Sequence, residues 1–288
     1  MKQKIKLLIK ILLTFAALWF VLHKVDIERL KESLQNADSI WLFIAFILFN
    51  LSKIVSSFRL NIYFKAIGLK LSEKFNLTLY YVGMFYNLFL PGGIGGDGYK
   101  IYLLNKYYKQ GIKPLFQAVL LDRLSGLFAL AFYACLLFAF SDYSELLGNW
   151  TKWLALILSI FLFPIAYFAT KWFFKEFLIC FNQTLVWGFA VQLLQLLSAL
   201  AIIKSLYIGH SNLEYMTLFL VSSVVAVLPL TIGGVGVREL TFLYGLEFIG
   251  EEPSLGVTFS FLFFIITAIS SLMGLFLLNR LSVEKDMS

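Results

Sequence analysis

The chain has 288 residues, of which 60% are hydrophobic and 14% charged, with a mean hydropathy of +0.84 and a net charge of +7. A soluble globular domain carries about 25% charged residues, so composition excludes a water-exposed fold and makes the bilayer the solvent. The basic excess could serve nucleic acid if gathered in one patch, but it is spread over loops beside apolar segments, where membrane topology accounts for it. No nucleic-acid partner is expected.

Apolar stretches long enough to cross about 30 Å of hydrocarbon as helices are read at about 5–22, 40–58, 115–140, 150–170, 184–206 and 254–279. None alternates with the period of a barrel strand. The first follows Lys2, Lys4, Lys6 and Lys10, and carries bulky Leu18, Trp19 and Phe20 where a signal peptide would show a small-residue cleavage site, so it reads as an uncleaved anchor. Two further stretches, Phe75–Leu90 and Leu213–Leu228, have 16 residues each, marginal for a crossing. Each runs into a Pro- and Gly-rich break and a short second helix, and both are read as re-entrant hairpins, over 75–107 and 213–249. The expected fold is an all-α polytopic membrane protein with six full transmembrane helices and two re-entrant hairpins, forming a single integral membrane domain over 1–288.

Charge placement fixes the expected topology. With a cytoplasmic N-terminus, the cytoplasmic loops hold Lys2, Lys4, Lys6, Lys10, Arg59, Lys65, Lys70, Lys74, Lys100, Lys106, Lys109, Lys113, Lys171, Lys175, Arg280 and Lys285, whereas the opposite loops hold Lys24, Arg29 and Lys31. That distribution satisfies the positive-inside rule and places both termini in the cytoplasm of a bacterial inner membrane. The first hairpin has lysines on both flanks and enters from the cytoplasm. The second lies between "YIGHSNLE" and "GEEP", which lack Lys and Arg, and enters from outside. Span, span, hairpin, span then recurs in opposite orientation, the layout of an inverted-topology repeat, with repeat A at about 1–141 and repeat B at about 150–280.

The two breaks also match residue by residue. Pro91, Ile94, Gly95, Gly96, Gly98 and Lys100 correspond to Pro229, Ile232, Gly233, Gly234, Gly236 and Arg238. A glycine-rich break at membrane depth frees backbone N–H and C=O groups that must be buried in protein or face a watery cavity. The following helix N-termini, with Lys100 and Arg238 close behind, would favour an anion such as phosphate. The alternative is a pair of packing kinks with snorkelling cations. Asp97 sits where an N-cap for a helix starting near Gly98 would sit, and Glu239 falls in the first turn after its motif. The adjacent Arg238 and Glu239 read as a head-group site or a proton-responsive pair. Asp122 and Arg123, two turns into the third span, read either as an ionisable pair facing the bundle interior or as an interfacial salt bridge. Lys53 and Arg59 are placed at the cytoplasmic end of the second span, where either could snorkel; Arg59 is the better functional candidate because anionic head groups lie at that depth. Gln192 and Gln195 read as glue between helices.

Cys135 and Cys180 lie in or beside apolar helices and read as packing residues, and His23 and His210 are isolated. No cofactor or metal is expected, and neither glycine motif has the G-x-x-x-x-G-K-[S/T] spacing of a nucleotide loop. The segments "SSFRLNIYFKAIG", "FLPGGIGGDGYKIYLL", "LLDRLSGL" and "LPLTIGGVGVREL" resemble the lysylphosphatidylglycerol synthase transmembrane region, also described as flippase-like. The resemblance covers nearly the whole chain and implies movement of a modified lipid between leaflets. It carries over Arg59, Asp97, Asp122, Arg123, Arg238 and Glu239 as the polar positions, and it implies no lipid aminoacylation, since the soluble transferase half has no counterpart here. The leading expectation is a lipid translocase rather than an enzyme, with membrane lipids and an envelope lipid-modifying or glycosyltransferase enzyme as partners. An intramembrane transferase on a lipid-linked substrate, an ion-coupled transporter of a small polar solute and an inactive assembly partner are the rivals.

Overall fold

The computed structural model describes residues 19–24, 26–89, 94–227 and 234–281. The anchor expected at 5–22 falls mostly outside these residues, as do Pro91, Pro229, Ile232 and Gly233. Among the described residues the chain is helical throughout, with no strand.

An exposed polar helix, α1 (Ile27–Asn36), opens the described bundle, started by Asp26, whose carboxylate accepts from the Glu28 and Arg29 amides. Asp38 does the same for α2 (Ser39–Ala66), accepting from Ile40 N at 2.8 Å; a carboxylate satisfies otherwise orphaned amides at a helix start. After α2 come α3 (Glu73–Phe89), α4 (Gly95–Tyr108), α5 (Ile112–Phe140), the short α6 (Asp142–Leu146) and α7 (Asn149–Phe173). A 3₁₀ turn at Lys175–Cys180 leads into α8 (Phe181–Ser205), followed by α9 (Asn212–Val227), α10 (Val237–Phe248) and α11 (Ser254–Leu277). Among the described residues five stretches are long and apolar enough to cross a membrane: α2, α5, α7, Lys175–Ser205 and α11. The chain is a multi-pass all-α membrane protein.

One boundary differs from the sequence reading in a way that matters. The second span was expected to end near residue 58, but α2 runs on to Ala66. Its 28 residues rise about 42 Å at 1.5 Å each, which leaves Lys53 halfway along the helix rather than at its cytoplasmic end.

Each short helix pair folds back on itself across its break. Gly96 N donates to Asn87 Oδ1 at 2.8 Å and the Tyr86 and Tyr99 rings lie 4.6 Å apart, joining α3 to α4. Arg238 Nη1 reaches Ser223 Oγ at 3.3 Å, and Tyr215 and Phe242 are ring neighbours at 6.1 Å, joining α9 to α10. The packing between halves is reciprocal: α3 lies on α11 while α9 lies on α5, and α2 lies along α8. Ser198 Oγ donates to Ala45 O at 2.8 Å across that last contact. With lipid tails as apolar as the side chains, such close approaches and hydrogen bonds hold the helices together.

The two larger apolar cores meet on α2. One gathers Phe49 of α2 with Phe219, Phe242 and Phe259 of α9 to α11. The other gathers Leu60 and Phe64, further along α2, with Leu79, Leu104 and Leu115 of α3 to α5. The first hairpin thus packs directly on α2, whereas the second shares a core with the other end of α2 through α11. Between the cores α2 carries a polar stretch, with Ser52, Ser56, Ser57 and Arg59 all buried.

The glycines of the two breaks serve different purposes. A Cβ on Gly96 would stand 1.8 Å from the Gly83 carbonyl oxygen, so here two backbones cross. Gly234 and Gly236 instead adopt φ of 80° and 88°, a region L-residues avoid. Gly98 has open space around its missing Cβ. Gly96→Ala is accordingly expected to destabilise the protein by about 1–3 kcal/mol, as overpacking does, whereas Gly98→Ala should be neutral or gain up to about 1 kcal/mol of helix propensity. Thermal unfolding of the two variants in detergent checks this, and equal losses would contradict the backbone crossing.

Candidate functional site

The polar stretch of α2 meets charges from both halves of the chain. Arg59 is 4% exposed, and its Nε donates to Asp122 Oδ1 of α5 at 2.7 Å. Arg59 thus does not snorkel to an interface. Gly126 of α5 and Gly188 of α8 make room for the guanidinium, since a Cβ at either would come within 3.6 Å of Arg59 Nη1. Arg59 Nη1 has no hydrogen-bond partner among the described residues, nor has Gln192 Oε1. The Gln192 Nε2 donates to Gly126 O at 3.3 Å, joining α8 to α5.

Asp122 and Arg123, adjacent in sequence, turn to different partners. Arg123 Nε donates to Asp97 Oδ2 of α4, and Asp97 Oδ1 accepts from Lys100 Nζ at 3.2 Å. Asp97 is not an N-cap: α4 begins at Gly95 after Ile94, with no side-chain cap, and Asp97 lies in its first turn. Its carboxylate instead joins the first hairpin to α5. Lys100, 5% exposed, runs past Gly83, whose missing Cβ would lie 2.4 Å from Lys100 Cε, and its ammonium lies 4.6 Å from the Tyr80 ring centroid. Lys100 is therefore matched by a carboxylate rather than left for an incoming anion.

At the second break, Glu239 is 3% exposed; its Oε2 accepts from Gly236 N at 2.6 Å and its Oε1 from Ser260 Oγ at 2.9 Å. Glu239 caps its own helix and joins it to α11, making no ion pair with neighbouring Arg238. The amides of Gly96 and Gly236, which the sequence left free to meet an anion, are taken by Asn87 and Glu239. Gly95 starts α4, while Gly233 lies outside the described residues.

What remains for an anion is a cation pair. Arg238 points over the Phe263 ring, 5.2 Å from its centroid, and has Ser223 as its hydrogen-bond partner. Lys53 points over Phe49 at 4.3 Å, and the two rings meet edge to face at 5.6 Å. Neither cation forms an ion pair among the described residues. Two cations on an aromatic pair, one of them halfway along a spanning helix, retain capacity for an anion that cation–π contact only partly meets. The sequence reading placed Arg238 in the site and left Lys53 out, because it set the end of the helix too early.

No group of three His, Cys, Asp or Glu is placed to hold a metal among the described residues. Both cysteines are free thiols.

No curated protein matches the chain. A family model does, over residues 7–274 of the 288, which spans both hairpins and every polar residue above and carries a membrane-lipid-related function. The chain belongs to the family described as the lysylphosphatidylglycerol synthase TM region.

Proposed function

We propose that the chain is a lipid translocase that moves an anionic or aminoacylated phospholipid, or a lipid-linked precursor, between leaflets of a bacterial inner membrane, both termini cytoplasmic. The observation that carries this is the pair Lys53 and Arg238, which lack carboxylate partners among the described residues and stand over the touching rings of Phe49 and Phe263. A phosphate between them would gain charge-assisted hydrogen bonds from both.

The hairpins are read as re-entrant and related by an inverted repeat. Support comes from the reciprocal packing of α3 on α11 and α9 on α5, and from the two cores at opposite ends of α2. Rocking of one half against the other, about a site where both contribute a cation, gives alternating access. An intramembrane transferase would need a carboxylate base, yet Asp97 and Glu239 are both committed to structural partners. A lipid-modifying envelope enzyme fits as the partner that supplies or consumes the moved lipid.

The test is leaflet exchange of head-group-labelled phosphatidylglycerol in proteoliposomes containing this protein alone, read by dithionite quenching. Exchange well above that of empty vesicles is expected, and exchange no faster than theirs across anionic and aminoacylated lipids overturns the reading.

A further inference from the structure

A cavity of about 330 Å³ lies between α5, α7 and the start of α8, at the small end of the roughly 300–1,000 Å³ range of ligand sites. Its wall includes Leu124, Phe128 and Ala131 of α5, Ile165 and Ala169 of α7, and Leu185 of α8. Three hydroxyls in the wall are spent on nearby carbonyls: Ser125 on Asp122 O at 3.0 Å, Thr170 on Ala166 O at 2.8 Å and Thr184 on Cys180 O at 3.0 Å. The Tyr63 phenol also lines it, and the rest of the wall presents carbon to its occupant. Along α5 it runs from Leu121 to Ala131, about 15 Å at the helical rise, or half of a hydrocarbon core of about 30 Å.

A second hollow, of about 340 Å³, adjoins it, sharing Phe174 and Phe177. This one is polar. Lys113 and Gln117 from the first turns of α5 meet Lys175 and Glu176 of the 3₁₀ turn and Trp172 of α7. Lys113 and Lys175 are exposed and form no ion pair among the described residues. A cationic, tryptophan-edged hollow beside an apolar cavity about half a hydrocarbon core long suits an amphiphile with an anionic head.

We infer that this composite hollow is a phospholipid site, with the phosphate between Lys113 and Lys175, head-group hydroxyls on Glu176 and one acyl chain in the α5–α7–α8 cavity. It lies on another face of α5 from the Asp122 contact, and it needs only a bound lipid, so it stands apart from leaflet exchange.

The experiment uses the full chain in nanodiscs with phosphatidylglycerol bearing a mid-chain diazirine, photolysed and mapped by mass spectrometry. Adducts are expected on Leu124, Phe128, Ala169 and Leu185, reduced about fivefold by Ala166→Trp, which narrows the cavity. Unlabelled phosphatidylglycerol should compete several-fold better than phosphatidylcholine, and Lys113→Gln/Lys175→Gln should abolish that preference. The two lysines are exposed, so this second variant keeps the test decisive if the tryptophan variant does not fold. Adducts confined to the outer face of α7, at Ile160 and Phe161, would show annular lipid only and overturn the proposal, as would equal competition by the two lipids. Exchange is not read here, so a chain that labels at this site without translocating lipid would lose the transport reading and keep the site.

Discussion

Asp122→Ala is expected to lower the stability of the protein by about 3–5 kcal/mol, the cost of stranding one partner of a buried ion pair. Arg59 is 4% exposed and Asp122 7%, and the Nε to Oδ1 contact at 2.7 Å is the ion pair Arg59 makes. Among the described residues Nη1 already lacks a partner, so removing the carboxylate leaves a buried guanidinium with no ion-pair partner among them. Replacing both residues, as Arg59→Met/Asp122→Leu, removes the buried charge along with its partner and should recover most of the loss, because apolar residues of similar volume often substitute for a buried pair at little cost. Thermal unfolding of the single and double variants in one detergent gives the comparison. If the double variant is as unstable as Asp122→Ala, the pair is not the source of the effect and packing at those positions is. A stable double variant has a further use: leaflet exchange retained in it would assign Arg59 to structure, and exchange lost would assign its unpartnered Nη1 to the head group.

The pair also shows where sequence reading stops. The spans were legible because hydropathy over about 20 residues reports the bilayer directly, and the matching glycine motifs marked both breaks. The end of α2 was not legible. The span was ended just before Arg59, but a charge neutralised by a residue 63 positions away does not end a helix, and α2 continues through buried Leu60, Asn61 and Phe64. The same blindness hid Lys53, which a span ending at 58 leaves beside water. Asp97 was misassigned for a related reason. Its position fits a capping residue, and only the fold brings Arg123 from α5 and Lys100 from the next turn to the one carboxylate. The equal glycine patterns, finally, conceal unequal causes, a backbone crossing at Gly96 and positive φ at Gly234 and Gly236.

Arg238→Ala and Lys53→Ala are each expected to slow leaflet exchange of an anionic lipid by about tenfold to a hundredfold, the equivalent of the roughly 1.5–3 kcal/mol of a hydrogen bond to a charged group. Stability should move far less than in Asp122→Ala, because neither cation has a carboxylate partner among the described residues to strand. If the two act on one phosphate, as proposed, the double variant should fall short of the product of the single effects, as residues sharing a partner do. Charge and geometry separate in Arg238→Lys, which keeps the cation but loses the planar fork that matches a phosphate; it should lie between wild type and alanine. Ser223→Ala removes the hydroxyl that now holds Arg238 Nη1 and leaves the charge in place, so exchange should stay within a few-fold of wild type. Reduced exchange of anionic lipid with unchanged exchange of phosphatidylcholine would tie both residues to the head-group charge. If all variants instead exchange both lipids at the wild-type rate, Lys53 and Arg238 are not the site, and the anion must be sought at the other break.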